Sequence, residues 1–372
     1  MKIFGNSAKL KHLLLLLMFC AVMPFCIGNE TANFTAWTVG GRIYTGFLIN
    51  HHNNMRMLNE KIPYSYEIFI SRATDGKKPW HTFYRYPRYG VSYMLFDLGS
   101  PSYLGNAHCV YPFMNFFLTN PERILNVNMR VAAGIAYVEK IFDPVRNYKN
   151  AAISTHLNAF LGLGLDGRIR VAAPLHIFGG LAFMHISNGT FKKPNTGLNN
   201  IMASAGASYA FGEKKPMLEP TEYSFEKKWN YTAYLSGGVK TYTPYDDTKY
   251  ATYGLSLEAS RTHLAHTSFI GTLDLFYDSS DYADFIRNEK EVKKFQFLKP
   301  GFAAGYVFHF GKLSANVQIG RYFFAKKQEH GLIYQRLAMR YKVADRINVH
   351  CGLKTHFGQA DYIELAIGYK IK

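Results

Sequence analysis

The sequence predicts an all-β protein whose antiparallel strands cross a membrane and close into barrels. Three observations carry that prediction. Hydrophobic residues alternate with small or polar ones over segments of about 10–15 residues, the N-terminus has the form of an export signal, and no later apolar run reaches the roughly 20 residues of a membrane helix. Strands of soluble sheets average about 5–6 residues, whereas tilted strands crossing a bilayer need about 9–11. A soluble β-sandwich is the competing fold. It accommodates the 27 Tyr and 29 Phe but not strands of this length.

Residues 1–28 read as a signal peptide. Lys2, Lys9 and Lys11 give a basic start, Leu13 to Val22 a short apolar core, and Cys26-Ile27-Gly28 a cleavage site. Neither Cys20 nor Cys26 follows the small residues of a lipoprotein signal, so the expected product is unanchored and begins near Asn29. Removing the three signal lysines takes the formal charge from +17 to +14, which favours polyanionic partners. Export argues against nucleic acid and leaves a phosphate-bearing membrane surface. Cys109 and Cys351 remain, one in each half, and read as isolated thiols rather than a disulfide framework.

Strands are expected near 36–49, 64–72, 89–98, 104–118, 125–139, 151–165, 168–187 and 198–211. A second set is expected near 230–243, 250–263, 266–279, 297–310, 312–325, 331–343, 346–357 and 361–371. An even total puts both chain ends on the periplasmic side. The alternation is cleanest from 153 onward. Leu157, Ala159, Leu161, Leu163 and Leu165 share one face, and Val171, Leu175, Ile177, Leu181 and Phe183 share one on the next strand. Asp166-Gly167 between them has the form of a two-residue hairpin turn, as do Gly311-Lys312 and Ala344-Asp345 elsewhere. The stretch 73–88 is long for a periplasmic turn.

Residues 29–213 are expected to form an eight-stranded N-terminal barrel, 214–229 a charged, proline-containing periplasmic linker, and 230–372 a second half of about eight strands. Two architectures stay open: a second barrel, or one larger barrel of about sixteen strands. The small, apolar inward face of 168–187 favours the narrow, packed kind.

The stretch "FMHISNGTFKKPNTGLNN", residues 183–200, carries the chemistry. His185 and Ser187 continue the lipid-facing row of their strand at its outer end, and Asn199 enters the next strand on the same face. A base beside a hydroxyl, oriented by a third group, is the arrangement of nucleophilic acyl transfer. Polar residues where a strand leaves the bilayer are the alternative reading. The Asn188 side chain and the Asn188 and Gly189 backbone amides are candidate oxyanion donors. Lys192 and Lys193 are either solvated loop charges or contacts for lipid phosphates. His51-His52 is an adjacent pair in a loop without spaced partners, so no metal is expected. No glycine-rich loop opens a helix, so no nucleotide cofactor is expected either. Tyr84, Tyr86 and Tyr89 read as interface or turn residues.

"HISNGTFKKPNTGLN", a His-x-Ser-Asn segment followed by Pro194-Asn195-x-Gly197, resembles that of outer-membrane lipid A 3-O-deacylases (PagL-like) and the related acyloxyacyl hydrolases. "YGVSYMLFDLG" and "NYKNAAIST" resemble segments of longer relatives, and the likeness covers roughly 36–213. The resemblance implies an eight-stranded barrel in the bacterial outer membrane, with a serine esterase site on its lipid-facing exterior. It implies Ser187 as nucleophile, His185 as general base and acid, Asn188 as oxyanion donor, and lipid A of lipopolysaccharide as partner. The family has a glutamate where this chain has Asn199. A neutral amide can orient an imidazole but cannot stabilise the imidazolium by charge. Glu67, Asp97 and Glu213 are the nearest carboxylates that could substitute. A non-enzymatic, porin-like or structural barrel with a degenerate site is the competing reading, and Asn199 is its best support. Oligomeric state is not legible.

Overall fold

The computed structural model describes residues 33–120, 123–172, 174–216, 227–244, 247–288, 291–328 and 331–372. The expected signal peptide and most of the expected linker lie outside them. Among the described residues the strands form two closed antiparallel barrels of eight, which excludes a single larger barrel. The first comprises β1 (Asn33–Leu48), β2 (Tyr64–Ala73), β3 (Arg88–Ser100), β4 (Gly105–Phe117), β5 (Leu125–Val138), β6 (Leu157–Ala172), β7 (Leu175–Ser187) and β8 (Leu198–Pro216). The second comprises β9 (Trp229–Thr241), β10 (Lys249–Leu264), β11 (Thr267–Asp278), β12 (Leu298–Phe310), β13 (Leu313–Tyr322), β14 (Ile333–Lys342), β15 (Ile347–His356) and β16 (Gln359–Lys370).

Strands adjacent in sequence pair in space, and β8 closes on β1 as β16 closes on β9. Closure leaves no sheet edge, so every strand can satisfy its backbone groups without water. Alternation then sorts the side chains. Ile68 and Leu181 stand outward at 66% and 62% exposure, in a row with Ile43, Val91 and Ile135. Such an apolar exterior is what lipid-facing strands require.

The lumen of the first barrel is filled in layers. At the end remote from Asn33 and Pro216, Met55 and Leu58 of a 3-10 turn (Asn53–Leu58) join Phe96, Phe160, Ile186 and Leu198 in a buried apolar plug. Tyr111 stacks on Phe160 with ring centroids 4.5 Å apart. Below it lies a charged layer. Both Nη groups of Arg42 donate to Asp166, at 2.6 and 2.9 Å, while Glu67 accepts from Arg130, from Ser92 at 2.5 Å and from Tyr44 at 2.6 Å. Removing one member of a buried ion network strands its partners, at about 3–5 kcal/mol. Glu67→Gln should therefore lower the midpoint of urea unfolding in lipid vesicles by an amount equivalent to about 3 kcal/mol. An unchanged midpoint would mean that the network is solvated.

The hairpin expected at Asp166-Gly167 is absent. β6 runs on to Ala172 and β7 begins at Leu175, so the reversal falls between them. Asp166 instead faces the lumen, 4% exposed, and pairs with Arg42, 124 residues away. An Asp-Gly pair favours a turn only when nothing else claims the carboxylate. β6 also starts later than the alternation suggests, because Asn150 Oδ1 accepts from the Ala152 and Ile153 amides and folds that segment into a loop. The long 73–88 connection contains a short helix, α1 (Pro79–Phe83), and Thr74 closes it with two bonds to the Pro87 carbonyl.

The second barrel is likewise filled. Arg340 forks onto Glu258 at 2.9 and 2.7 Å, and Arg336 lies between Asp274 and Glu364. Helix α2 (Ser279–Arg287), capped by the Asp278 carboxylate, follows β11. Cys109 and Cys351 are both free thiols.

Candidate active site

Strand register builds the site. Asn199 on β8 is the cross-strand partner of His185 on β7, and Ser187 follows His185 by two residues on the same face. Directly opposed residues have Cβ atoms about 4.5–5.5 Å apart, within reach of short polar side chains. His185 Nδ1 lies 2.7 Å from Asn199 Oδ1, and His185 Nε2 lies 2.9 Å from Ser187 Oγ. A carboxamide oxygen only accepts, so this contact places the ring proton on Nδ1. The Nε2 lone pair then accepts from the Ser187 hydroxyl. That tautomer is the one a general base needs.

The loop between β5 and β6 holds the 188–197 loop in place. The Thr196 and Gly197 amides donate to the Ala151 and Ala152 carbonyls, and Ser154 Oγ donates to the Lys192 carbonyl at 2.6 Å. Gly197 closes the loop with φ of +75°, in the left-handed region. A Cβ there would come within 3.0 Å of His185 Cε1, so the glycine is needed both for its backbone and for the ring beside it.

Asn188 has a different place from the one its sequence position suggests. It is 3% exposed, and its carboxamide N–H groups face Ser154 Oγ, Thr155 Oγ1 and the Lys192 carbonyl. Its side chain braces the loop, and its backbone amide donates to Asn195 Oδ1 at 3.1 Å. Lys192 and Lys193 sit on the same loop, both half-buried. Of the substitute carboxylates, Glu67 and Asp97 do not join the cluster. Glu67 is committed inside the lumen and Asp97 pairs with Lys61 at 2.8 Å. The Glu213 side chain lies outside the description. Among the described residues no group of three or more His, Cys, Asp or Glu side chains could hold a metal.

His51, read from sequence as an ordinary loop residue, reaches the cluster. Its Nδ1 lies 3.4 Å from Asn199 Nδ2 and 3.1 Å from the Ile49 carbonyl, and its Nε2 lies 3.0 Å from the Thr196 carbonyl. With 148 residues between His51 and Asn199, no local pattern could have announced the contact.

Residues 64–208 match the family model of lipid A 3-O-deacylase (PagL), and residues 229–372 match that of the acyloxyacyl hydrolase C-terminal domain. No curated protein matches the chain. Among solved structures, neisserial surface protein A is similar at 12% identity, over 49% of this chain and 100% of that one, with a TM-score of 0.34. The outer membrane enzyme PagL is similar at 13% identity, over 45% and 97%, with a TM-score of 0.31. A mutant porin of Rh. blastica is similar at 9% identity, over 92% and 100%, with a TM-score of 0.19.

Proposed function

We propose, for a chain that belongs to the lipid A 3-O-deacylase (PagL) and acyloxyacyl hydrolase family, that it is a serine esterase of the bacterial outer membrane which removes an ester-linked acyl chain from lipid A. The observation that carries this reading is the unbroken Asn199–His185–Ser187 hydrogen-bond chain. On this reading the chain of bonds lies at the outer end of a lipid-facing strand row, the level at which a lipid substrate of the outer leaflet presents its ester linkages.

Ser187 Oγ attacks the ester carbonyl while His185 Nε2 takes its proton. The tetrahedral oxyanion is held by the Gly189 backbone amide, since both the carboxamide and the backbone amide of Asn188 are used in the loop. Collapse breaks the bond to the sugar oxygen, which takes the proton from His185 Nε2. Water, deprotonated by the same nitrogen, then releases the fatty acid and restores Ser187. Lys192 and Lys193 supply positive charge for the lipid A phosphates. The test is mass spectrometry of lipid A incubated with the protein refolded in detergent. Loss of one ester-linked chain supports the reading and identifies the position cut. Unchanged lipid A would leave a non-enzymatic barrel.

His51 supports the site by fixing the Asn199 amide. A histidine that donates from Nε2 to the Thr196 carbonyl has a lone pair on Nδ1, which accepts from Asn199 Nδ2 and turns Oδ1 toward His185. Contact of Nδ1 with the Ile49 carbonyl instead requires protonated His51, and that state releases the amide. A carboxylate at 199 would need no such orientation, because its two oxygens are equivalent. His51→Phe should therefore lower turnover about 10-fold in the Asn199 chain and have little effect beside Asn199→Glu. Equal losses in both backgrounds would make His51 a packing residue only.

A further inference from the structure

We propose that the lumen of the first barrel, at the end where β1 begins and β8 ends, is a binding site for a phosphate-class oxyanion. A recess open to solvent lies there, walled by Arg88, Arg168, Thr38, Ser71, Ser208 and Asn115, with the charged layer above it. The apolar plug closes the other end of the lumen, so a ligand enters from the end where β1 begins and β8 ends.

Charge is the first argument. Arg42, Arg88, Arg130 and Arg168 face this lumen, and the carboxylates that answer them are Glu67 and Asp166. Among the described residues, four guanidiniums against two carboxylates leave a surplus of two. Asp166 reaches the cavity wall but is taken up by both Nη groups of Arg42, and Glu67 by Arg130 and Arg42. Among the described residues neither Arg88 nor Arg168 has a carboxylate partner. Arg88 is only 8% exposed, and one of its Nη groups donates to Thr38 Oγ1. The Nε atoms of Arg88 and Arg168 are buried without a hydrogen-bond partner. Buried charges are normally paired, and an uncompensated pair of like charges is strongly unfavourable.

Geometry is the second. Two planar guanidinium forks and the hydroxyls of Thr38, Ser71 and Ser208 converge on one space. Forked donors match the oxygens of a tetrahedral oxyanion rather than a spherical halide. A phosphate group near neutral pH carries about −1.5 to −2, which cancels the surplus. The same tetrahedral oxygens come from free inorganic phosphate and, with a single negative charge that cancels half of the surplus, from the phosphodiester of a phospholipid headgroup at the membrane face.

The test is isothermal titration of the full chain, refolded in detergent, with sodium phosphate, with glycerophosphoglycerol as a headgroup without acyl chains, and with sodium chloride at matched ionic strength. Saturable binding of phosphate or of the headgroup, weakened at least 100-fold in the Arg88→Gln/Arg168→Gln double variant, is the expected result. Binding of the headgroup alone assigns a lipid; binding of phosphate assigns the free ion as sufficient. No binding of either probe, or equal heats with chloride, overturns the proposal, as does binding that survives the double variant. If the double variant does not fold, the wild-type comparison of phosphate with chloride decides alone. Urea unfolding gives a second readout. Without phosphate the double variant should unfold at a higher midpoint than wild type, and only wild type should gain on adding phosphate. Neither arginine touches the esterase site, so deacylation should be unchanged.

Discussion

Ser187→Ala should abolish deacylation, lowering the rate about 1,000-fold or more, while leaving the folded barrel intact. The hydroxyl is the only atom lost, and its one described contact is with His185 Nε2. His185→Ala should have an effect of the same size, and the double variant should be no worse than either. Nucleophile and base act as a unit, so their losses do not add. The measurement is the deacylation rate on lipid A by mass spectrometry, with heat-modifiable migration on gels as the check on folding. A Ser187→Ala protein that still cleaves would remove Ser187 as nucleophile. A His185→Ala protein that keeps its rate would leave the serine with no base.

Asn199 is the second large lever. Asn199→Asp is isosteric and places a carboxylate oxygen where Oδ1 now lies, 2.7 Å from His185 Nδ1. At about 4 Å and an effective dielectric constant of 20, a unit charge pair is worth about 4 kcal/mol. Most of that is screened at a half-exposed site, so turnover should rise about 10-fold. Asn199→Leu removes the acceptor altogether, freeing the ring to take either tautomer, and should lower turnover about 100-fold. Asn199→Glu returns the family's residue and should not fall below the parent. Should Asn199→Asp and Asn199→Leu both turn over at the parent rate, the amide has no orienting role.

The proposed phosphate site lies inside the lumen of the first barrel, and the proposed esterase site lies on the outward row of β7 and β8. The first stands or falls on binding heats and the second on lipid A chemistry. Neither outcome prejudges the other.

Much of this architecture was legible from residue order. Period-two alternation placed sixteen strands, and the observed bounds differ mostly by one to three residues. The row Phe183, His185, Ser187 follows directly from that alternation, and Asn199 returns on the same face because the hairpin is antiparallel. Long-range partners were not legible. Asp166-Gly167 reads as a turn until Arg42 is seen across the lumen. Asn188 reads as an oxyanion donor until Ser154, Thr155 and Lys192 are seen to occupy its carboxamide. His51 reads as a loop residue until the β1–β2 loop is placed beside Asn199.

The sequence by itself determined the membrane-barrel fold and the strand row on which His185, Ser187 and Asn199 lie. Both are consequences of a two-residue period that is local and repeated along the chain. Only the tertiary structure decided that there are two closed barrels rather than one, since closure depends on which strand pairs with β1. It also decided which charges meet inside the lumen, because ion pairs between Arg42, Asp166, Glu67 and Arg130 form across the barrel at separations that no local pattern encodes.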